Sequence, residues 1–329
     1  MKGKLPILLT LVLFCLIYIL RLNQGGFEFE LNVFSEQRHY LDEKISTLLP
    51  SPQAELLSGI ILGNKKDLPT NLRLNLRDTS TLHIVVVSGQ NLTLVSAVVM
   101  FLLCGVLHKR WAILVSAGVI IFYTLLTGAQ VPVVRAAVMA ILSLSAAAFG
   151  RQKESVWILF ITAGMMLLVN PVWLFDLSFQ LSFLATFGVL SVAPVINNAL
   201  EKVFPKVVSQ DLSITTAAQI MVSPLIIQVF HQFSIVGIVA NLMVGWSIPF
   251  IMILGLIMIL VSFLSAGFSS IIALFVSLLL SFFIKTVDFF ASLPFAWEYI
   301  GEKSWVFWVG YYLILAGVMI AINKKAMSD

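Results

Sequence analysis

From His83 to Ile322 the chain is a near-continuous series of apolar runs, separated by short polar or glycine- and proline-bearing breaks. That pattern constrains the fold more than any single motif. A helix needs roughly 20 mostly apolar residues to cross a bilayer. Backbone groups in hydrocarbon must pair within their own segment, so such runs are expected to be helical. Candidate spans fall at 5–20, 83–107, 111–127, 131–149, 155–169, 173–196, 214–230, 235–261, 267–291 and 305–322. The expected architecture is therefore an all-α integral membrane protein, a polytopic bundle of about ten transmembrane helices, some short or broken. Composition agrees: 60% of residues are hydrophobic and 11% charged, against about 25% charged in ordinary soluble domains. A soluble chain this apolar would expose large sticky patches.

Net charge is +4, and the distribution of Lys and Arg explains it. With the amino terminus in the cytoplasm, alternate connections carry Lys2 and Lys4, Lys109 and Arg110, Arg151 and Lys153, Lys202 and Lys206, and Lys324 and Lys325. The opposite loops at 128–130, 170–172 and 231–234 carry none. This is the positive-inside pattern, and it accounts for the basic balance without a polyanionic ligand. The first run, 5–20, follows a basic start like that of a signal peptide, but Arg21-Leu22-Asn23-Gln24 offers no small-residue cleavage site. It is read as a retained span. Cys15 and Cys104 lie inside apolar runs and read as small hydrophobes.

Residues 21–81 are different, with seven Lys/Arg and eight Asp/Glu. Ser35–Leu49 is expected to form an amphipathic helix with Tyr40, Leu41, Ile45, Leu48 and Leu49 as its apolar stripe. Gln53–Leu62 is expected to form a second helix ended by Gly63. Neither holds a spanning run, so the segment is placed at the membrane surface.

Polar residues inside the apolar runs are the candidates for function, because an ionisable group at the centre of a span costs about 2.5–3.5 kcal/mol on insertion scales. His83 opens one run, and Ser88-Gly89-Gln90-Asn91 interrupts it. That break has two readings: the lining of a substrate path, as in broken membrane helices, or a capped helix start. Arg135, just after Pro132, either faces a bundle interior and an acceptor there, with Asp176 the candidate carboxylate, or snorkels to the boundary. Asp176 and Gln180 are four apart, with Ser182 close by; Asp176 also suits a helix amino terminus. Asn241 falls about seven residues into its run. Lys285 and Asp288, three apart, are expected to pair with each other.

No enzyme or ATPase motif is found. Gly301-Glu302-Lys303-Ser304 lacks the upstream glycine of a P-loop, Ser88 is not in a GxSxG turn, and the four histidines form no HExxH or metal cluster. The expectation is a non-enzyme without cofactor or metal.

Several of these segments together resemble the ComEC competence family. The run LLPSPQAELLSGIILGNKKDLPTNLRLNLRDTSTLHIVVVSGQNLTLV is similar to the start of that family's membrane domain, YTLLTGAQVPVVRAAVMA to its Thr-Gly…Arg-Ala segment, and NPVWLFDLSFQLSFLATFGVL to its FQLSF segment; Pro224, Phe230 and Asn241-Leu242 fit the last block. The likeness covers roughly 45–260. It implies a membrane channel for single-stranded DNA import during natural transformation, in the bacterial cytoplasmic membrane. It also implies a separate DNA receptor, a motor ATPase and a separate nuclease as partners, besides membrane lipid. On that resemblance His83, Ser88, Gly89, Arg135, Phe179, Gln180 and Ser182 fall on motif positions and would line or pack the channel. A transporter of a small or lipid-linked solute sharing the fold is the alternative. Asn91 stands where the family usually has His. The 21–81 segment is too short and too helical for the OB-like domain of many members, and no HxHxDH nuclease motif is present. The expected organisation is a first transmembrane anchor at 1–22, an extracytoplasmic or interfacial helical segment at 23–82, a polytopic competence-type channel domain at 83–322 and a cytoplasmic tail at 323–329.

Overall fold

Apolar periodicity becomes helix almost throughout the computed structural model, which describes residues 4–23, 33–64, 68–85, 89–104, 108–148 and 154–326. In chain order the helices are α1 (Lys4–Asn23), α2 (Ser35–Leu48), α3 (Gln53–Leu62), α4 (Thr70–Asp78), α5 (Leu82–Val85), α6 (Gly89–Cys104), α7 (Lys109–Leu126), α8 (Val131–Ala148), α9 (Ser155–Val169), α10 (Leu177–Ser191), α11 (Ala193–Leu200), α12 (Lys206–Phe230), α13 (Gly237–Gly245), α14 (Ser247–Ser262), α15 (Ala266–Ala291) and α16 (Trp305–Ala326). A 3-10 turn, Pro171–Phe175, precedes α10. Two short strands, β1 (Gln232–Ser234) and β2 (Trp297–Tyr299), pair antiparallel with Phe233 opposite Glu298.

By length and composition, three described helices can each cross a membrane: α12, α15 and the Trp305–Ile322 part of α16. Two bent pairs raise the number to five. This is fewer than the ten expected, and the reason is local. The run at 173–196 bends by 45° between α10 and α11, and that at 235–261 by 43° between α13 and α14. Pro194 and Pro249 lie in the opening turns of α11 and α14, where a missing N–H is tolerated. Of the run at 83–107, the structure describes α5 and α6. In the other expected spans the stretches counted are apolar segments of 10–17 described residues, Phe14–Asn23, Gly89–Phe101, Trp111–Leu126, Val131–Ala146 and Ser155–Val169. The outward surface is greasy: Phe101, Leu264, Phe268, Leu313 and Ile314 are each at least two-thirds exposed. Such a surface suits lipid, and this is a membrane protein.

The chain divides into two compact units. One comprises residues 1–41 and 87–183. Its core is Leu92, Ile120, Tyr123, Val133, Ala136 and Ala137, from α6, α7 and α8. Tyr18 of α1 donates to the carbonyl of Pro171 at 3.1 Å. The Asn170 side chain accepts from the Val172 amide and so caps the 3-10 turn.

The other unit comprises residues 42–86 and 184–329. The helix expected at Gln53–Leu62 forms with those bounds, and Gly63 ends it at φ 78° with its N–H on Gly59 O. The helix is enclosed rather than lying on a surface, since Ala54 and Leu56 through Leu62 are all buried. Gly255 of α14 makes room for it: a Cβ there would stand 2.8 Å from Ile61 and 2.9 Å from Leu57. In α2, Ile45 is buried as its stripe requires, whereas Tyr40 is half exposed. α12 begins at Lys206, eight residues before the expected run, because Pro205 precedes it and its buried Ser209 and Ser213 bond to Lys206 O and Ser209 O within the helix. A second core joins Val192, Ala193, Ala217 and Met221 to Tyr312, Leu315 and Met319 of α16. Asp288 accepts from Asn75 Nδ2 at 2.9 Å, in place of the pairing with Lys285 expected from their spacing.

Candidate functional site

The arginine in the α8 run is 8% exposed. α8 starts at Val131, so Arg135 sits one turn inside, and its side chain runs inward among the helices of its unit. The guanidinium donates from Nη1 to the carbonyl of Ser182 on α10, and its carbon lies 5.9 Å from the centre of the Phe183 ring. Phe183 in turn packs on Phe179, with ring centres 4.3 Å apart. A buried cation is tolerated when carbonyl oxygens and an aromatic face replace water.

The first residue of α6 comes up against the same guanidinium. A Cβ at Gly89 would stand 2.6 Å from Arg135 Nη2 and 3.2 Å from the Ala136 Cβ. Glycine is therefore the residue that lets the start of α6 rest on Arg135. A guanidinium set against this close backbone approach is a donor suited to an anion. Asn91, one residue beyond Gln90 in α6, is 1% exposed, and Gln90 is exposed.

Gly89, Arg135 and Ser182 are thus brought together from three helices far apart in sequence. Ser88 lies outside the described residues. Asp176 does not serve as the carboxylate for Arg135. Its Oδ1 accepts from the Phe179 amide at 2.8 Å and caps α10, which is the helix-terminus reading of that residue. Gln180 donates from Nε2 to Leu174 O at 2.8 Å and braces the 3-10 turn against α10. His83 and Asn241 belong to the other unit. His83 Nδ1 is 2.8 Å from Ser80 O with its side chain exposed, and Asn241 Nδ2 donates to Thr215 on α12 at 3.4 Å.

Two features were not anticipated. Phe183 supplies the ring facing the cation, and its sequence position, one past Ser182, carries no polar signal. Arg38 of α2 packs against Gly128 in the turn between α7 and α8. Gly128 has φ 80° and Ala129 φ 50°, so the turn is left-handed at both residues, and glycine suits the first of them. The Thr127-Gly128 pair was the available hint.

Residues 60–325 match the model of the Competence protein family. The chain belongs to that family. The match extends past the last quoted motif to include α15 and most of α16, so both the arginine site and the α12–α16 core lie within the matched residues. Among curated proteins, the chain is 22% identical over 304 residues to ComE operon protein 3 of Bacillus subtilis (strain 168), an alignment covering 92% of this chain and 38% of that protein. It is 27% identical over 230 residues to the uncharacterized protein YcaI of Escherichia coli (strain K12), covering 64% of this chain and 29% of the other. The competence-family chain therefore spans well under half the length of either relative. No solved structure matches it.

Proposed function

We propose that this protein forms a membrane path for single-stranded DNA entering a bacterial cell during natural transformation. Family membership supports the reading, and the observation that carries it is the buried Arg135 guanidinium against Gly89 of α6, with the Phe183 ring beside it. Phosphate oxygens are bound by guanidinium groups, and bases stack on aromatic faces. The chemistry needed is binding and release along a path, with no bond made or broken in the substrate by this chain. Force, capture at the cell surface and removal of one strand would come from partners: a motor ATPase, a DNA receptor and a separate nuclease.

The protein is placed in the cytoplasmic membrane with its amino terminus inside, and about ten crossings are counted when short and broken helices are included. The β-pairing supports part of this arrangement. Gln232–Ser234 and Trp297–Tyr299 come from two connections that the positive-inside pattern assigns to the same, non-cytoplasmic face, and they pair with each other.

The test is import of labelled DNA in a competent host. A clean deletion is compared with complementation by wild type, Arg135→Ala and Gly89→Leu, with protein levels in the membrane measured in parallel. Loss of import in the deletion with surface binding intact supports the reading. Normal import in a deletion strain that lacks a second family member overturns it, and a transporter of a small or lipid-linked solute then takes its place.

A further inference from the structure

Among its described residues, the polar segment that precedes α6 carries no apolar helix longer than α3, whose ten residues are roughly 15 Å long, about half the apolar thickness of a bilayer. Its bonds nonetheless follow α14 and α15 from one end to the other, all within one unit. At the turn joining α14 to α15, Lys44 Nζ donates to Ser262 O at 3.4 Å and lies 4.1 Å from the centre of the Phe263 ring. Midway, Leu57 and Ile61 pack on Gly255. Gln53 Nε2 donates to Ser281 Oγ at 3.1 Å. At the far end Asn75 donates to Asp288, three residues before α15 stops. α15 has 26 residues and is roughly 39 Å long, more than the apolar layer it would cross.

We infer that residues 42–64 and 68–85 form a discontinuous transmembrane element, so that the chain near Lys44 and the chain near Asn75 emerge on opposite faces of the membrane. This inference is independent of what the protein carries; it sets aside the placement of residues 23–82 on one side of the membrane, and the side of the amino terminus and the number of crossings proposed above change with it.

The side chains suit such a course. Lipid would not accept the polar groups at the middle of this element, and several of them are turned to protein instead. Asp42 accepts from Ser58 Oγ and, at 3.3 Å, from Asn64 Nδ2, which ties α2 to both the middle and the end of α3. Irregular backbone at membrane depth is tolerated where protein encloses it. α3 meets this condition, with eight of its ten residues buried. Gln53 Oε1 and Glu55 Oε2 are enclosed acceptors with no hydrogen bond from the protein. Buried acceptors need donors, and these two are enclosed by protein and do not face the lipid.

The test is cysteine labelling with a membrane-impermeant maleimide, applied to intact spheroplasts and to inverted vesicles, in a Cys15→Ala, Cys104→Ala background. Four exposed sites are used one at a time: Glu43→Cys and Leu264→Cys at the α14–α15 turn, Arg73→Cys on α4, and Glu302→Cys beyond the carboxyl end of α15. Each variant is first shown to label fully after solubilisation in detergent, so a blocked or misfolded thiol is recognised and replaced by its neighbour, Ser46→Cys or Asn71→Cys. The expected result is two pairs. Glu43→Cys labels with Leu264→Cys from one side, and Arg73→Cys labels with Glu302→Cys from the other, with at least a tenfold preference in each case. Labelling of Glu43→Cys and Arg73→Cys from the same side overturns the proposal. So does labelling of Leu264→Cys and Glu302→Cys from the same side, because α15 would then not cross. DNA import plays no part in the readout, so failure here and failure of the proposed function are told apart.

Discussion

The hydroxyl of Tyr311 on α16 donates at 3.0 Å to the carbonyl of Ile220 on α12, the carbonyl four residues before Pro224. A proline inside a helix has no N–H to give to that position. The neighbouring hydroxyl, on Tyr312, donates to Met221 O at 2.8 Å. α16 thus supplies the donor that the proline removes.

This relationship predicts a conditional effect. Tyr311→Phe should destabilise the protein by about 0.5–1.5 kcal/mol, the usual net value of one such bond. In a Pro224→Ala background, where residue 224 regains an N–H for Ile220, the same change should cost clearly less. Thermal unfolding of the four proteins in one lipid nanodisc preparation gives the coupling. Equal losses in both backgrounds would show that the hydroxyl is not substituting for the missing N–H.

Arg135 is predicted to be irreplaceable at its site. Its hydrogen bond to a carbonyl is charge-assisted, a class worth about 1.5–3 kcal/mol, so Arg135→Ala should lower DNA import by about 10- to 100-fold at equal protein level. Arg135→Lys, which keeps the charge but not the planar fork, should fall between. Quantitative uptake of radiolabelled DNA into a nuclease-resistant, cytoplasmic form measures it. Full import by Arg135→Ala would remove the arginine from the path.

Asp176 is predicted to act through its cap. Asp176→Ala should cost about 0.5–2 kcal/mol of stability, and Asp176→Asn, which keeps the acceptor oxygen, should cost little and leave import unchanged. Loss of import in Asp176→Asn with normal unfolding would assign its charge to the transport path instead.

Gly255 is predicted to be a packing position. Gly255→Ala places a methyl against Ile61 and Leu57 and should destabilise by about 1–3 kcal/mol through overpacking. Gly118 in α7 has open space at the same position, and Gly118→Ala should be neutral or stabilising by up to about 1 kcal/mol. Unfolding midpoints of the pair, compared with wild type, decide it.

Much of the helical framework was legible because its causes are local. Gly63 stops α3 and Pro205 precedes α12, each through its own backbone geometry, and an 18-residue apolar run such as Trp305–Ile322 has few alternatives to a helix. The breaks were less legible. Apolar composition continues through Val192 and Trp246, and a hydropathy pattern does not register a bend of 45° or 43°. The arginine site was half legible: a charged residue in an apolar run marks Arg135 by cost alone. Its acceptor is a main-chain carbonyl, and every residue has one, so sequence favoured a carboxylate and pointed to Asp176.

Sequence alone determined that this is a helical membrane protein of the competence type, because apolar run length and a few ordered motifs suffice for that. Tertiary structure decided that Gly89, Arg135 and Ser182 meet, that Tyr311 serves the carbonyl freed by Pro224, and that the polar stretch after residue 42 follows α15 along its length. Each of these depends on contacts between segments tens to hundreds of residues apart, and such contacts leave no periodicity or spacing in the chain from which they could be read.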